Sequence, residues 1–109
     1  DTIGAATPSL VESVFKTIVP AFPLIEVSAH LHTIPEHAQQ LTAAAYNGGC
    51  TFFEGAIKGF GGCPMANDDL VGNVATEDLV RILEQEGYEL DLNRMEFAEA
   101  RKLANVIFH

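Results

Sequence analysis

Behind Thr7 and Pro8, the apolar residues Leu10, Val11, Val14, Phe15 and Ile18 recur at three- and four-residue intervals. That spacing places them on one side of a helix, with Thr7 as N-cap, Pro8 in the first turn and an end expected before Pro20. After Pro23 the period changes. Leu24-Ile25-Glu26-Val27-Ser28-Ala29-His30 is short and rich in strand-forming residues, as suits a buried parallel strand. Helical spacing returns from Pro35 to Asn47 through Ala38, Leu41, Ala44 and Ala45, and stops at Gly48-Gly49. Thr51 to Ile57 is the next strand candidate. Lys58 to Gly72, with Gly59, Gly61, Gly62 and Pro64, is a long loop of the kind a compact domain keeps for function. Thr76 is expected to cap another helix, with Glu77 and Asp78 in its first turn, Leu79, Val80, Ile82 and Leu83 on its buried side and Gly87 at its end. A last helix follows Asn93. Asn93 and Glu96 form a capping-box-like pair, and Met95, Phe97, Ala98, Leu103, Val106 and Ile107 supply the apolar positions.

Helix and strand alternate in this order, which argues for right-handed parallel βαβ units. So few parallel strands make no stable sheet alone, because both faces and both edges need covering, so a piece of a larger barrel or an oligomer is expected. The 109 residues leave room for one domain. With 6 Lys+Arg against 15 Asp+Glu and a net charge of −9, no nucleic-acid partner is expected. No apolar run approaches the roughly 20 residues of a membrane span. The 2 cysteines lack CxxC spacing and point to a reducing, cytoplasmic compartment. Asp1 follows no initiator Met or leader, which reads as a start cut from a longer chain.

Candidate chemistry gathers at the carboxyl ends of the two strand candidates. His30 and His32, at i and i+2, point to one face of a strand, where two imidazoles either bind one divalent metal or simply pack at a fraying end. Cys63, in a glycine-rich loop, is either a proton donor carried over a substrate or an incidental free thiol. Asn73 precedes the next helix, and its amide oxygen could complete a metal's shell or serve an ordinary turn. Glu77 suits the helix dipole. Cys50 reads as a small buried hydrophobe, His37 as a surface residue, and the terminal His109 carries no argument.

Gly61-Gly62-Cys63-Pro64, followed by Gly72-Asn73-Val74-Ala75-Thr76-Glu77-Asp78, closely resembles the signature loop of the 3-hydroxy-3-methylglutaryl-CoA lyase family. Asp1-Thr2-Ile3-Gly4 and His30-x-His32 match as well, in the family's order and nearly its spacing, so the likeness runs from Asp1 to about Gly87. The resemblance implies that residues 1–109 are the C-terminal portion of a single TIM (β/α)8 barrel domain, beginning where the fifth strand ends. It implies a carbon–carbon lyase of leucine degradation and ketone-body formation. The reaction is retro-Claisen cleavage of 3-hydroxy-3-methylglutaryl-CoA to acetyl-CoA and acetoacetate, dependent on a divalent metal, Mg2+ or Mn2+. By the same resemblance His30, His32 and Asn73 are metal ligands, His30 helps remove the hydroxyl proton and Cys63 protonates the departing enolate. Asp1 and Thr2 border the acyl site, and Glu77 supports the surroundings of Asn73.

The chain departs from the family's pattern in places. Thr33 stands where an acidic residue or Asn usually follows the second His, and Met65 to Val71 is about one residue longer than the family's small-residue loop. The family's Arg and Asp from the first strand have no counterpart, so this chain alone is expected to be inactive, completed by the missing N-terminal barrel half or by a homo-oligomer. Two other readings stay open: a related acyl-CoA condensing enzyme of the citramalate or isopropylmalate synthase type, which generally lacks the cysteine, and a non-catalytic half-barrel that self-associates.

Overall fold

The structure is a computed structural model that describes residues 1–61 and 71–108. Its elements run α1 (Pro8–Ala21), β1 (Ser28–His30), α2 (Pro35–Asn47), β2 (Phe52–Glu54), a 3-10 turn (Ile57–Gly59), α3 (Thr76–Gln85) and α4 (Arg94–Ile107). β1 and β2 pair in parallel across the α2 crossover, with Ser28 opposite Phe52, Ala29 opposite Phe53 and His30 opposite Glu54.

Local chemistry accounts for most of the boundaries. The Leu10 N–H donates to Thr7 Oγ1 at 3.3 Å, so Thr7 caps α1. Contrary to expectation, α1 runs through Pro20 to Ala21; a proline in the last turn removes one hydrogen bond without a long helical stretch beyond it to disrupt. α3 also starts differently: Ala75 is the N-cap and makes no side-chain cap bond, while Thr76 is the first helical residue. At its end the Tyr88 N–H donates to Leu83 O and the Gly87 N–H to Glu84 O, with Gly87 at φ 87, a Schellman closure. Asn93 Oδ1 accepts from the Glu96 N–H at 3.2 Å and starts α4.

Both strands are shorter than the seven-residue runs that suggested them, because among the described residues each pairs as a strand only with the other and fewer ladder bonds hold the outer residues. The segment Gly72–Ala75 supplies further backbone pairing. The Val74 N–H donates to Leu31 O and the Thr33 N–H to Gly72 O on one side, and the Ala56 N–H donates to Val74 O on the other. The chain after the loop is thereby threaded between the ends of both strands.

The core lies between these strands and α1, α2 and α3, around Phe15, Ala29, Leu41, Ala45, Val74 and Ile82. Cys50 is fully buried there, its thiol pushed up by desolvation, and Sγ donates to Phe52 O at 3.0 Å. The apolar positions of α4 are largely exposed: Met95 is 81% exposed, Leu103 63% and Val106 69%, and among the described residues of this helix only Ala104 is buried. A two-stranded sheet offers no second layer for that helix to cover. Outward residues of α1 and the turn after it, such as Leu10, Phe22 and Leu24, are exposed for the same reason.

The hydroxyl of Thr42 is buried on α2 and finds no hydrogen-bond partner among the described residues. Thr42→Val, which keeps the shape and removes the orphaned hydroxyl, is therefore expected to leave stability unchanged or raise it by up to about 1 kcal/mol. Ile82→Ala is expected to lower it by about 2–5 kcal/mol. Urea unfolding of the full-length protein measures both.

Candidate functional site

His30 ends β1 and stands opposite Glu54, which ends β2, so both side chains leave the same face at the carboxyl edge of the sheet. His30 Nδ1 lies 2.9 Å from Glu54 Oε2. The hydrogen bond from His30, and a second from the Ser28 hydroxyl, hold the Glu54 carboxyl below its ordinary range. The pair is open to solvent, with side chains 52% and 59% exposed, so it contributes little to stability.

His32 is buried, and its ring lies beside that of His30 with centroids 5.2 Å apart and planes 29° from parallel. His32 Nδ1 sits 3.2 Å from Val71 O and donates to it, which leaves Nε2 as the ring's free acceptor. Asn73 bridges to His32 through the backbone and turns its side chain toward His30. Its Nδ2–H donates to Phe60 O at 2.7 Å, and its Oδ1 stands 2.9 Å from His30 Nε2.

Counting protons along this chain exposes a deficit. Glu54 and Phe60 O are acceptors at the two ends, and between them lie a ring with one N–H when neutral and one amide. If His30 donates from Nδ1 to Glu54, its bare Nε2 faces the Asn73 oxygen. The other tautomer sets a bare Nδ1 against the carboxylate. Rotating the amide of Asn73 only moves the conflict to Phe60 O. With a neutral ring and an ionised Glu54 one acceptor–acceptor contact remains; a second proton on the ring removes it, and so would a cation held between Nε2 and Oδ1.

The loop base that carries Phe60 is held separately. Both carboxylate oxygens of Glu77 accept from the Lys58 N–H, at 3.1 and 3.0 Å, and fix Lys58 at φ 64, a left-handed conformation unusual for a side-chain-bearing residue. Glu77 thus reaches Lys58 and acts on Asn73 only through the loop. Lys58 Nζ donates to Phe108 O at 3.3 Å, and the Phe108 ring packs on Phe60 with centroids 4.6 Å apart, which seats the end of α4 on the same loop.

Asp1 is used locally: its carboxylate accepts from the Ala5 N–H at 3.2 Å and the Ala6 N–H at 2.9 Å, closing the turn into α1. With Leu10, Val14, Ser28 and His30 it lines a cavity of about 340 Å³; the neighbouring Thr2 is exposed. Thr33, in place of an acidic residue, is buried and turns its hydroxyl to Ile34 O at 3.2 Å. Cys63 and residues 65–70 lie outside the described residues.

The structure brings His30, His32 and Asn73 together and adds two partners the sequence reading did not assign. Glu54 could have been found, since pairing the two strand candidates in parallel brings their ends side by side. The Phe60 carbonyl, a backbone group, gives no sequence signal. Among the described residues no group of three or more His, Cys, Asp or Glu gathers as a metal cluster; the donors here are two imidazoles and an amide oxygen.

The profile of the HMGL-like family matches residues 1–105. The hydroxymethylglutaryl-CoA lyase YngG of Bacillus subtilis is 42% identical over 85 residues, covering 78% of this chain and 28% of the relative. An (R)-citramalyl-CoA lyase of Chloroflexus aurantiacus is 39% identical over 82 residues, covering 75% of this chain and 26% of its own length. Among solved structures, an Acinetobacter baumannii HMG-CoA lyase in complex with coenzyme A and 3-methylmalate superposes with a TM-score of 0.82 at 29% identity, over 100% of this chain and 36% of that one. The chain therefore spans about a quarter to a third of the length of these relatives. Its strands and helices correspond to a segment of a TIM barrel.

Two left-handed glycines separate a site effect from a backbone effect. A Cβ on Gly61 (φ +89) would stand 2.8 Å from Asn73 Nδ2, whereas one on Gly87 (φ +87) meets nothing within 4 Å. Both alanine variants are expected to lose about 1–2 kcal/mol for the backbone conformation. In NMR spectra only Gly61→Ala is expected to move the side-chain amide signals of Asn73, and in thermal unfolding it is expected to be the less stable of the two.

Proposed function

The chain belongs to the HMGL-like family, and from that premise we propose that the protein is a hydroxymethylglutaryl-CoA lyase in which residues 1–109 form the C-terminal portion of one TIM-barrel domain. The observation that carries the chemistry is the 2.9 Å approach of His30 Nε2 to Asn73 Oδ1, two atoms that both present lone pairs when the neutral ring carries its proton on Nδ1. An imidazole nitrogen and an amide oxygen 2.9 Å apart, with the His32 ring alongside, could both be donors to one cation. Imidazole nitrogen with amide oxygen is a donor set acceptable to Mg2+ or Mn2+. His30, His32 and Asn73 would hold that ion, and the remaining positions would be filled by residues outside this chain, water or substrate.

When bound, a divalent cation supplies a Lewis acid that stabilises negative charge developing on the oxygens of 3-hydroxy-3-methylglutaryl-CoA. The rest falls to side chains. The tertiary hydroxyl loses its proton, the bond between the carbinol carbon and the thioester α-carbon breaks, and its electron pair becomes the enolate of acetyl-CoA, releasing acetoacetate. His30 is assigned to help remove the hydroxyl proton. Cys63 is assigned to protonate the enolate carbon, and Asp1 and Thr2 to border the acyl group. Glu77 would keep the loop base in place through Lys58. The coenzyme A bound in the Acinetobacter structure supports a CoA thioester as substrate. The exposed apolar sides of α1 and α4 would be covered by the rest of the barrel or by a second copy. No described helix is long and apolar enough to cross a membrane. On the cysteine usage, 2 residues without CxxC spacing, we assign the protein to the cytoplasm.

The similarity to a citramalyl-CoA lyase favours one second reading, the same bond cleavage on a different acyl group. Acetoacetate formed by the full-length protein from 3-hydroxy-3-methylglutaryl-CoA decides between them. With Mg2+ or Mn2+ product is expected, and excess chelator abolishes it. Cys63→Ala and His30→Ala are each expected to lower kcat by about 100-fold or more. Cleavage of citramalyl-CoA alone would replace the proposed substrate, and turnover undiminished by chelator would remove the metal.

A further inference from the structure

We infer that Glu54 is the positioning residue of His30: its carboxylate at the end of β2 selects the imidazole tautomer that leaves Nε2 unprotonated and turned toward Asn73 Oδ1. This rests on the proposed lyase site and adds to it a residue outside the ligand and acid–base set.

The register of β1 on β2 makes the two residues direct neighbours, and the 2.9 Å contact is to Nδ1, the nitrogen that faces away from Asn73. A neutral His30 has one proton to place. On Nδ1 it meets a carboxylate; on Nε2 it meets a neutral amide oxygen and leaves the Nδ1 lone pair against the carboxylate. Hydrogen bonds to an ionised acceptor are about twice as strong as those to a neutral one, so Glu54 decides the tautomer. The open position of the pair makes its contribution to stability small, which separates an orienting role from a structural one. Carboxylates in this position raise the basicity of a ligating imidazole and fix its ring plane, and losing them weakens metal binding by about 10–100-fold.

The test uses the full-length protein with two readouts. In the metal-free protein at alkaline pH, nitrogen NMR of the histidine rings is expected to find the His30 proton on Nδ1. That preference is expected to be lost in Glu54→Ala and reversed in Glu54→Gln, whose amide N–H can donate to a bare Nδ1 and leave the ring proton on Nε2 facing Asn73 Oδ1. Titration with Mn2+ is expected to show affinity about 10–100-fold weaker for Glu54→Ala, and Glu54→Gln, which lacks the carboxylate charge, is not expected to recover it. Thermal unfolding of all three proteins is expected to differ little. A wild-type His30 protonated on Nε2, or a Glu54→Ala protein with wild-type tautomer and affinity, overturns the inference. If the wild-type protein binds no Mn2+ but Glu54→Ala still loses the Nδ1 proton, the positioning role stands and the metal-dependent reading falls.

Discussion

The arrangement around His30 is governed by the matching of hydrogen-bond donors to acceptors. Glu54, the Asn73 amide and the Phe60 carbonyl present more acceptors than a neutral imidazole and one amide can satisfy, and no tautomer or amide rotation removes the surplus. In a hydrophobic core such a contact would be destabilising and would not persist. Here it lies at the carboxyl end of two parallel strands, on the solvent side, where α/β proteins place their ligands. A cation converts the repulsion into attraction, and the same charge can then polarise a substrate oxygen.

The rest of the described fold keeps those acceptors in place. Asn73 is fixed because its segment is bonded through the backbone to Leu31 and Thr33 on one side and to Ala56 and Gly61 on the other. Phe60 is fixed because Glu77, in the first turn of α3, anchors Lys58 in a left-handed conformation, and because the end of α4 packs on the Phe60 ring. An acid that could have served only the helix dipole therefore links α3 to the loop opposite His30. The exposed apolar sides of α1 and α4 belong to the same picture, since in a closed barrel each helix covers strands that two strands alone do not provide.

Much of this was legible in the residues, for identifiable reasons. α2 follows its apolar spacing and its terminal glycines to the residue, and Thr7, Asn93 and Gly87 perform the capping their positions suggest. The pairing of His30 with His32 at one edge was visible as period-two spacing. Proline at position 20 misled because a last turn tolerates what a helix interior does not, and Thr76 because an N-cap needs an extended residue, which the chain places at Ala75. The apolar positions of α4 were legible but their exposure was not, because an apolar stripe reports what a helix can cover and says nothing of whether the covering layer is in the same stretch of chain. Glu54 escaped notice because its meaning lies in strand register, a relation between segments 24 residues apart that no local pattern displays.

The central claim is that a divalent ion takes the place of the missing proton between His30 and Asn73. Electron spin-echo modulation of Mn2+ bound to the full-length protein, labelled with nitrogen-15 in histidine only, tests it most directly. The account expects coupling to two histidine nitrogens, one of them lost in His30→Ala and the other in His32→Ala. Bound Mn2+ with no histidine nitrogen coupled to it would contradict the claim.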